Sequence, residues 1–356
     1  MKNIEAARKK AAAGERLSLE DALALYEDND LLFLADCARR AKEKKSGRSV
    51  YYTVNRHINL TNICSSNCPL CAFQVEAGDA RGFVMEPGDI ERVLEQAKKT
   101  PNLSEIHIVS ALHPDKPFSY YRAVVRQVKA ALPEVDVKAF TPVEIVNFAK
   151  MTGKSIREVL SLLKEDGLDS LPGGGAEILV DEVRRKVSPK KIMTDDWLHV
   201  MECAHSIGME STATMVIGFG ETMAQRIEHM EKVRRLQDKT GGFRAFITWT
   251  FQPGHTELGG EKTSSWDYMR TLALSRLYMD NIAHIQGSWV TQGERIGQLT
   301  LGFGADDAGS IMLEENVVRA AGTLYDMSTK KMIRLIEGAG REAAQRDTEY
   351  NIIRRF

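Results

Sequence analysis

Short apolar stretches alternate with amphipathic segments along most of the chain. Amphipathic helix candidates include residues 86–99 (EPGDIERVLEQAKK) and 119–132 (SYYRAVVRQVKAAL), in which apolar positions recur with the period of a helix. This alternation favours a parallel sheet covered by helices, and eight such units are typical of a TIM-type (β/α)8 barrel. An open doubly wound sheet is the alternative. The eight candidate strands are 57–63, 105–111, 136–140, 168–173, 211–218, 243–250, 285–290 and 300–306.

Residues 1–50 differ from this pattern because they are polar, contain many Ala and Leu residues, and have the character of helices. Ser18 and Asp21 have the spacing of a capping box at the start of a helix. We therefore expect an α/β protein in three parts. These are an N-terminal helical extension (1–50), a (β/α)8 barrel (51–325) and a C-terminal helical segment (326–356).

Composition argues against several classes of function. The chain carries 48 basic and 49 acidic residues, a net charge of -1, so it has no long-range field to attract nucleic acid. No apolar run reaches the roughly 18 residues that a membrane helix needs, so no membrane partner is expected. The first residues are charged rather than apolar, and an odd number of cysteines argues against a disulfide framework. We therefore expect a cytoplasmic location.

Three of the five cysteines lie close together. Cys64, Cys68 and Cys71 directly follow the first candidate strand, and in a barrel the loops after the strands carry the chemistry. A structural zinc site is one interpretation, but the remaining cysteines, Cys37 and Cys203, stand alone in helical segments. Three thiolates on one loop could instead hold three irons of a [4Fe–4S] cluster and leave the fourth iron open. A non-catalytic electron carrier is a further alternative, although it would need a fourth ligand.

The C-x3-C-x2-C spacing resembles that of the radical S-adenosylmethionine (SAM) superfamily. The resemblance implies a [4Fe–4S] cluster on Cys64, Cys68 and Cys71, with SAM bound at the open iron and cleaved by one electron to a 5′-deoxyadenosyl radical. The residue before the third cysteine is commonly aromatic in this superfamily and contacts the adenine. Leu70 stands there in this chain, and Phe73 compensates only if its ring faces inward.

The resemblance extends from about residue 50 to residue 325. Segments such as YYTVNRHINLTNIC, DSLPGGGAEILVDEVRRKVSPKK and GFGADDAGSIMLEENVVRAAGT are similar to the futalosine-pathway enzymes of menaquinone biosynthesis, and most of all to the dehypoxanthine futalosine cyclases. This implies abstraction of the ribose C4′ hydrogen and addition of the carbon radical to a benzoate ring. It also implies a substrate that carries a benzoate and a ribose, and a one-electron donor such as flavodoxin or ferredoxin. Aminofutalosine synthases and deazaflavin-cofactor synthases are the alternatives.

The expected cofactor-binding residues lie on the cysteine loop and after the second to fifth strands. The glycines at 173–175 permit close approach of the backbone to a ligand, and a tight strand-to-helix turn is the alternative. Thr141 and Glu144 also fit a plain helix cap, and an inward Thr212 could reach a carboxylate or merely pack. The full set is Leu70, Phe73, Ser110, Thr141, Glu144, Gly174, Gly175, Glu177 and Thr212.

The expected substrate site lies mainly after the sixth to eighth strands, where aromatic and amide side chains suit a benzoate ring and a sugar. Arginines are included because guanidinium binds carboxylate through two hydrogen bonds. The substrate-binding candidates are Arg56, Arg244, Trp249, Gln252, Trp289 and Thr291. The catalytic candidates are Asp306, Asp307 and His113, of which the aspartates could orient hydroxyls or accept a proton. A helix cap and a loop histidine are their structural alternatives.

Overall fold

The computed structural model describes residues 2–356, and ten strands are present in that range. Most are short, as expected for strands that alternate with helices. The strands are β1 (Ser49–Thr53), β2 (Asn55–Ile58), β3 (Glu105–Ile108), β4 (Asp136–Ala139), β5 (Ser211–Ile217), β6 (Phe243–Thr250), β7 (His284–Gln286), β8 (Asp307–Ser310), β9 (Glu342–Arg346) and β10 (Ile352–Arg355).

The helices lie before, between and after these strands. Three precede β1, and most of the others connect one barrel strand to the next. The helices are α1 (Lys2–Ala13), α2 (Leu19–Glu27), α3 (Leu31–Ser46), α4 (Pro87–Ala97), α5 (Phe118–Ala131), α6 (Pro142–Thr152), α7 (Ile156–Glu165), α8 (Asp181–Val187), α9 (Thr194–Ser206), α10 (Met223–Thr240), α11 (Ser265–Tyr278), α12 (Trp289–Gln292), α13 (Glu294–Leu299), α14 (Val317–Ala320) and α15 (Thr329–Gly338).

Parallel pairing closes the strands into a barrel. β5, β6, β7, β8 and β1 are successive neighbours, and β2, β3 and β4 form a second run. Single bridges join the two runs: Lys138 to Ser170, Leu171 to Ser211, and Arg56 to Leu313. Residues 170–171 therefore occupy the place of the fourth barrel strand, and β1 and β2 together occupy the place of the first. This arrangement confirms the predicted (β/α)8 barrel.

The first, fourth, seventh and eighth strands differ most from their predicted positions: the first consists of β1 and β2 rather than 57–63, and the fourth is confined to residues 170–171. Residues 300–302 form a turn of 3-10 helix, and the eighth strand is β8, which begins at Asp307. The Thr300 hydroxyl donates to the Gly297 carbonyl at 2.6 Å and Gly304 has a φ of 97°, so this stretch turns before it extends. The seventh strand ends early because Ser288 caps the short helix α12.

The first three helices cover one side of the barrel. At the start of α2, the Asp21 amide donates to Ser18 Oγ and the Ser18 amide donates to the Asp21 carboxylate, which is the expected capping box. α2 packs against α10, and α3 packs against α11 with Leu34 and Ala38 buried. Within residues 2–356, no helix has both the length and the apolar character to cross a bilayer.

The C-terminal segment holds one helix and two strands, whereas a helical segment was expected. After α15, β9 pairs in parallel with β1, and β10 pairs antiparallel with β9. β9 therefore lies beside β1 in the same way that β3 lies beside β2. Ala343 and Ala344 favour a helix locally, but pairing with β1 buries both residues and overrides that preference.

Residues 342–351, which we call the C-terminal plug, close the barrel at the N-terminal ends of its strands. The Thr348 hydroxyl donates to the Glu105 carboxylate at 2.9 Å. Arg346 and the Tyr350 hydroxyl both reach the Asp307 carboxylate, each at 2.6 Å. Glu105 and Asp307 are fully buried, so the plug satisfies carboxylates that the barrel strands turn inward.

Candidate active site

A cavity of about 340 Å³ lies inside the barrel. Its volume is typical of small-molecule sites. Side chains that point inward alternate with outward ones along each strand, so Asn55, His57 and Asn59 all line it. Its mouth lies at the C-terminal ends of the strands, where Leu70 and Cys71 are partly exposed. The walls between mouth and inner end are largely apolar and include Val216, Ile247, Trp249, Phe251 and Met312.

The loop after β2 carries the three cysteines at this mouth. The Cys64 amide donates to the Val75 carbonyl at 3.0 Å, and the Cys71 amide donates to the Cys68 carbonyl at 2.9 Å, which fixes the turns of the loop. Cys71 and its neighbour Leu70 line the cavity, whereas Cys68 is buried beneath the loop. All three thiols are free of disulfide bonds.

The chemistry of these donors fits an iron–sulfur cluster. Free thiols on one loop are the soft ligands that iron prefers. Within residues 2–356, no three His, Cys, Asp or Glu side chains converge on a single metal position. A [4Fe–4S] cube does not need such convergence, because each thiolate binds a different iron. Burial raises the pKa of the Cys68 thiol to about 11, and the nearby Lys191 ammonium acts in the opposite direction by favouring the thiolate.

Lys191 is a charged neighbour of the cysteines that sequence analysis missed. Its ammonium donates to the Glu177 carboxylate at 2.6 Å. Glu177 itself has a φ of 43° and lines the cavity, and its Oε2 atom is buried without a hydrogen-bond partner. The basic stretch KVSPKK contains three lysines, and nothing in it identifies the one that turns inward.

The glycine run at 173–175 is in close contact with residues of neighbouring elements. A Cβ atom on Gly173 would lie 2.7 Å from the Thr212 carbonyl oxygen, and one on Gly174 would lie 2.9 Å from Thr141 Cγ2. Gly175 has a φ of 77°, which favours glycine. The Gly173 amide donates to Thr212 Oγ1 at 3.0 Å. All three glycines, Thr141 and Thr212 line the cavity, so the predicted role of this run in ligand approach agrees with its position.

Ser110, Thr141 and Glu144 form one buried hydrogen-bonded group. The Glu144 carboxylate accepts from the Thr141 amide at 2.7 Å and from its hydroxyl at 2.9 Å, which caps α6. It also accepts from the Ser110 amide at 3.1 Å. Burial raises the pKa of Glu144 to about 7. Thr141 lines the cavity, whereas Glu144 and Ser110 lie behind it and hold it in place.

The predicted substrate residues after the sixth and seventh strands divide into two groups. Trp249, Gln252 and Thr291 line the cavity. The Gln252 amide donates to Thr250 Oγ1 at 3.1 Å, which fixes its orientation. Trp289 does not line the cavity, because it begins helix α12 and its indole N–H donates to the Ser310 carbonyl at 3.0 Å.

Four other predicted residues lie away from the cavity. Arg56 donates to Gln96 at 2.7 Å and to Glu314, and Arg244 donates to Glu210 and to the Thr348 carbonyl. Successive side chains of a strand point to opposite faces of the sheet. Arg56 and Arg244 each stand next to residues that face the barrel interior, so their own side chains face outward. His113 Nδ1 accepts from the Asp115 amide, and the Phe73 ring contacts Phe83 edge-on. The predictions of a benzoate site at Arg56 and Arg244 are therefore corrected.

Asp306 and Asp307 lie at the opposite end of the barrel from the mouth. Asp306 directly precedes β8 and Asp307 is its first residue, whereas the prediction placed both at the end of the eighth strand. Asp306 is fully buried and pairs with Arg276, and its other oxygen accepts from His284 at 3.0 Å. Asp307 pairs with Arg346. These buried ion pairs correct the prediction of a catalytic role, because neither carboxylate lines the cavity.

The inner end of the cavity, which we call the floor, is polar. The His57 and His107 rings contact each other there at a tilt of 32°, with ring centres 4.7 Å apart, and burial lowers the pKa of both, so they are neutral. None of the residues of this floor was among the predicted site residues. Its signal is the polar residue at every second position of N-R-H-I-N, residues 55–59, in an otherwise buried strand. The floor consists of Asn55, His57, His107, Lys138, Gln286 and Arg346.

Two family sequence models match the chain. The model of the radical SAM superfamily matches residues 58–233, which include the three cysteines and the glycine run. The model described as the CofH/MqnC C-terminal region matches residues 240–355, which include the cavity walls from β6 onward and the C-terminal plug. Together the two matches cover the barrel from the end of β2 onward, except for residues 234–239 of α10.

Curated relatives match over nearly the full chain. The chain is 41% identical to the cyclic dehypoxanthine futalosine synthase of Halalkalibacterium halodurans, over 99% of this chain and 96% of that protein. It is 40% identical to the aminodeoxyfutalosine synthase of Thermus thermophilus, over 97% of this chain and 94% of that protein. A cyclic dehypoxanthine futalosine synthase of Streptomyces coelicolor is also 40% identical, over 96% of this chain and 86% of that protein.

Solved structures share the fold at low sequence identity. The FeFe-hydrogenase maturase HydG of Carboxydothermus hydrogenoformans superimposes with a TM-score of 0.78 at 18% identity, over 98% of this chain and 81% of that one. Methylornithine synthase superimposes with a TM-score of 0.74, also at 18% identity, over 94% of this chain and 96% of that one. At these identities the likeness supports the barrel fold and nothing finer.

The fold, the cysteine loop at the cavity mouth and the nearly full-length relatives agree with one another. Members of the matched superfamily are enzymes that use a [4Fe–4S] cluster and SAM, as the spacing of Cys64, Cys68 and Cys71 led us to expect. The chain belongs to the radical SAM superfamily, in the group whose members carry the CofH/MqnC C-terminal region.

Proposed function

We propose that this enzyme cyclises dehypoxanthine futalosine to cyclic dehypoxanthine futalosine in menaquinone biosynthesis. The observation that carries the proposal is the 41% identity to a cyclic dehypoxanthine futalosine synthase over 99% of the chain. The cavity agrees with it, because a substrate with an aromatic ring and a sugar needs apolar walls and polar ends. Its mouth at the cysteine loop lets a substrate lie directly against a bound cofactor.

The residues at the mouth have distinct roles in this proposal. Cys64, Cys68 and Cys71 hold the [4Fe–4S] cluster. Bound together, the cluster and SAM supply the 5′-deoxyadenosyl radical that takes the hydrogen from ribose C4′. The chain's own side chains around that position bind and orient the cofactor, and they are Leu70, Thr141, Gly174, Gly175, Glu177 and Thr212.

The cavity walls position the substrate and exclude water. Trp249 and Phe251 give apolar surface for a benzoate ring, and Gln252 and Thr291 offer amide and hydroxyl groups to the sugar. Exclusion of water matters here because a carbon radical in an enclosed site is protected from side reactions. Ser110 and Glu144 act indirectly, by fixing Thr141 and the loop after β3.

A second candidate function is that of an aminofutalosine synthase, which the 40% identity to the Thermus thermophilus relative supports. The test is an assay of the anaerobically reconstituted and chemically reduced protein with dehypoxanthine futalosine and, separately, with the enolpyruvyl benzoate. We expect 5′-deoxyadenosine and a product lighter than dehypoxanthine futalosine by two hydrogen atoms. Formation of an adenosyl adduct from the enolpyruvyl benzoate alone would identify the second function instead.

We also propose a one-electron donor such as flavodoxin or ferredoxin, and a cytoplasmic location. The superfamily's chemistry needs an electron for each cleavage of SAM, and the cluster is the group that receives it. The same assay separates the enzyme from a non-catalytic electron carrier. A carrier would be reduced and reoxidised without forming 5′-deoxyadenosine.

A further inference from the structure

The floor of the cavity has a chemistry that the proposed roles leave unused. It lies at the far end from the cysteine loop and combines two cationic side chains with two neutral imidazoles and two amides. We propose that the floor is the carboxylate subsite of the enzyme, in which Lys138 and Arg346 bind the carboxylate of the substrate's benzoate group. This inference rests on the proposed function in so far as the substrate carries a benzoate.

Both cations have donors to spare. Lys138 Nζ donates to Glu105 Oε2 at 2.9 Å, and an ammonium carries three N–H donors, so two remain. Arg346 donates through Nε and Nη2 to Asp307 and through Nη1 to the Asp347 carbonyl, which leaves two of its five N–H groups. Charge-assisted hydrogen bonds of this kind are stronger than neutral ones.

The neighbouring groups on the floor are also incompletely bonded. His57 Nε2 is buried without a hydrogen-bond partner, and His107 Nδ1, which also makes no hydrogen bond, lies 3.6 Å from the Glu105 carboxylate. Buried polar atoms are normally satisfied, so an unpartnered set around one cavity end indicates a polar ligand group there.

The charges of the empty floor are balanced. Lys138 pairs with Glu105, and Arg346 pairs with Asp307, while both histidines are neutral. A buried cation without a partner would be costly, so this balance keeps the empty site stable. A carboxylate then gains from hydrogen bonds to cations rather than from a net positive charge, which sets a moderate preference for a charged over a neutral ligand.

The shape of the cavity gives the subsite a direction. From Thr53 near the floor to Asn59 near the mouth, the first barrel strand lines the cavity over roughly 20 Å of chain. Trp249, Ile247 and Val216 form apolar walls between these ends. With the carboxylate on the floor, the aromatic ring lies between these walls and the sugar lies at the mouth beside Cys71, where the reaction requires it.

The test uses benzoate and benzamide, which have similar shapes and differ in charge, as probes of the purified full-length protein without reductant. Binding is followed by titration calorimetry and by tryptophan fluorescence, since Trp249 lines the cavity. We expect wild-type protein to bind benzoate about ten-fold more tightly than benzamide, which corresponds to one net charge-assisted interaction. Equal binding of the two probes, or binding of neither, would overturn the inference.

The variants are Lys138→Met and Arg346→Met, and each should remove the preference for benzoate. Each leaves a buried carboxylate without its partner, so the paired variants Lys138→Met/Glu105→Gln and Arg346→Met/Asp307→Asn keep the floor neutral and test binding in a folded protein. Lys239→Met is the matched control, because that lysine pairs with Glu202 on the exposed surface of the protein. A preference for benzoate that persists in both paired variants would refute the subsite.

The outcome is separable from that of the proposed function. If Lys138 and Arg346 govern benzoate binding but no cyclised product forms, the subsite stands and the enzyme acts on another aromatic carboxylate. If cyclisation occurs with unchanged KM for dehypoxanthine futalosine in both paired variants, the proposed function stands and the subsite is wrong.

Discussion

Cys64 and Cys71 are partly exposed, and Cys71 lines the cavity mouth, whereas Cys68 is buried. Replacement of any one by Ala removes a cluster ligand, and we expect each variant to lose 5′-deoxyadenosine formation entirely and most of its bound iron. Cys203→Ala is the control, since that cysteine lies on α9 away from the cavity. Iron content and 5′-deoxyadenosine are measured after anaerobic reconstitution. A Cys68→Ala protein that still cleaves SAM would contradict the ligand assignment.

Gly173 is the most tightly packed position of the glycine run. An added Cβ would meet both the Thr212 carbonyl oxygen and the Thr214 amide at 2.7 Å, and these are backbone atoms that cannot rotate away. We expect Gly173→Ala to lower the free energy of unfolding by about 1–3 kcal/mol, the usual cost of overpacking. Gly302→Ala, where a Cβ meets nothing within 4 Å, should change it little. Urea denaturation compares the two, and equal stabilities would refute the contact.

Single-residue predictions succeeded where a motif fixed the position and failed where direction mattered. The spacing of Cys71 and the glycine run placed Leu70, Gly174 and Gly175 at the mouth correctly. Arg56 was chosen for its chemistry alone, yet it stands between two inward residues of a strand and so points outward. Parity along the strand would have indicated His57 instead, but it requires one inward residue to be known first.

At the level of elements, α9 and the start of β5 hold a partly buried histidine. His205 bonds to Thr240 and Ser211 hydroxyls, and burial lowers its pKa to about 4. In the unfolded chain the His205 imidazole has a pKa near 6.5. Between pH 6.5 and 4 it therefore binds a proton in the unfolded chain but not in the folded protein. We expect the contribution of His205 to the free energy of unfolding to be fully present above pH 6.5. It should fall as the pH drops from 6.5 towards 4, by up to about 1.4 kcal/mol per pH unit.

His205→Gln should weaken this dependence, and His199→Gln, on the exposed face of α9, should leave it unchanged. Urea unfolding at pH 7 and pH 5 measures the difference. The same slope in wild type and His205→Gln would show that another group controls the acid response.

Strand and helix patterns predicted the elements unevenly. The long strand β6 and helix α5 were predicted near their observed bounds because their patterns are long. The fourth barrel strand shrinks to residues 170–171, since the glycine run follows at once. The eighth was misplaced because the apolar stretch at 300–306 packs as a turn, and only tertiary pairing selects residues 307–310 as the strand.

For the whole molecule, the C-terminal plug joins the end of the described chain to its first strand. Deletion of residues 342–356 would leave the Glu105 and Asp307 carboxylates without Thr348 and Arg346. We expect a loss of more than about 3 kcal/mol of stability, because one buried charge loses its partner. Deletion of residues 352–356 alone, which are exposed, is the control and should cost little. Thermal unfolding measures both, and equal Tm values would contradict a sealing role.

Local sequence did not reveal the plug, because its alanines favour a helix and its partner strand lies at the other end of the barrel sequence. By contrast, the (β/α)8 architecture followed from the repeated alternation of apolar and amphipathic segments, which is a property of the whole chain rather than of one element.

The C-terminal plug closes the cavity at the floor, so ligands enter and leave through the mouth at the cysteine loop. Arg346 and Asp307 are buried at the closed end of the cavity, and Leu70 and Cys71 lie at its mouth. A ligand in the inner part of the cavity must therefore enter first and leave last. If the substrate of the proposed cyclisation occupies the inner part, turnover should follow a compulsory order in which that substrate binds before SAM, and an excess of SAM should slow the reaction by blocking the cavity mouth. Initial-rate patterns with both ligands varied would reveal that order.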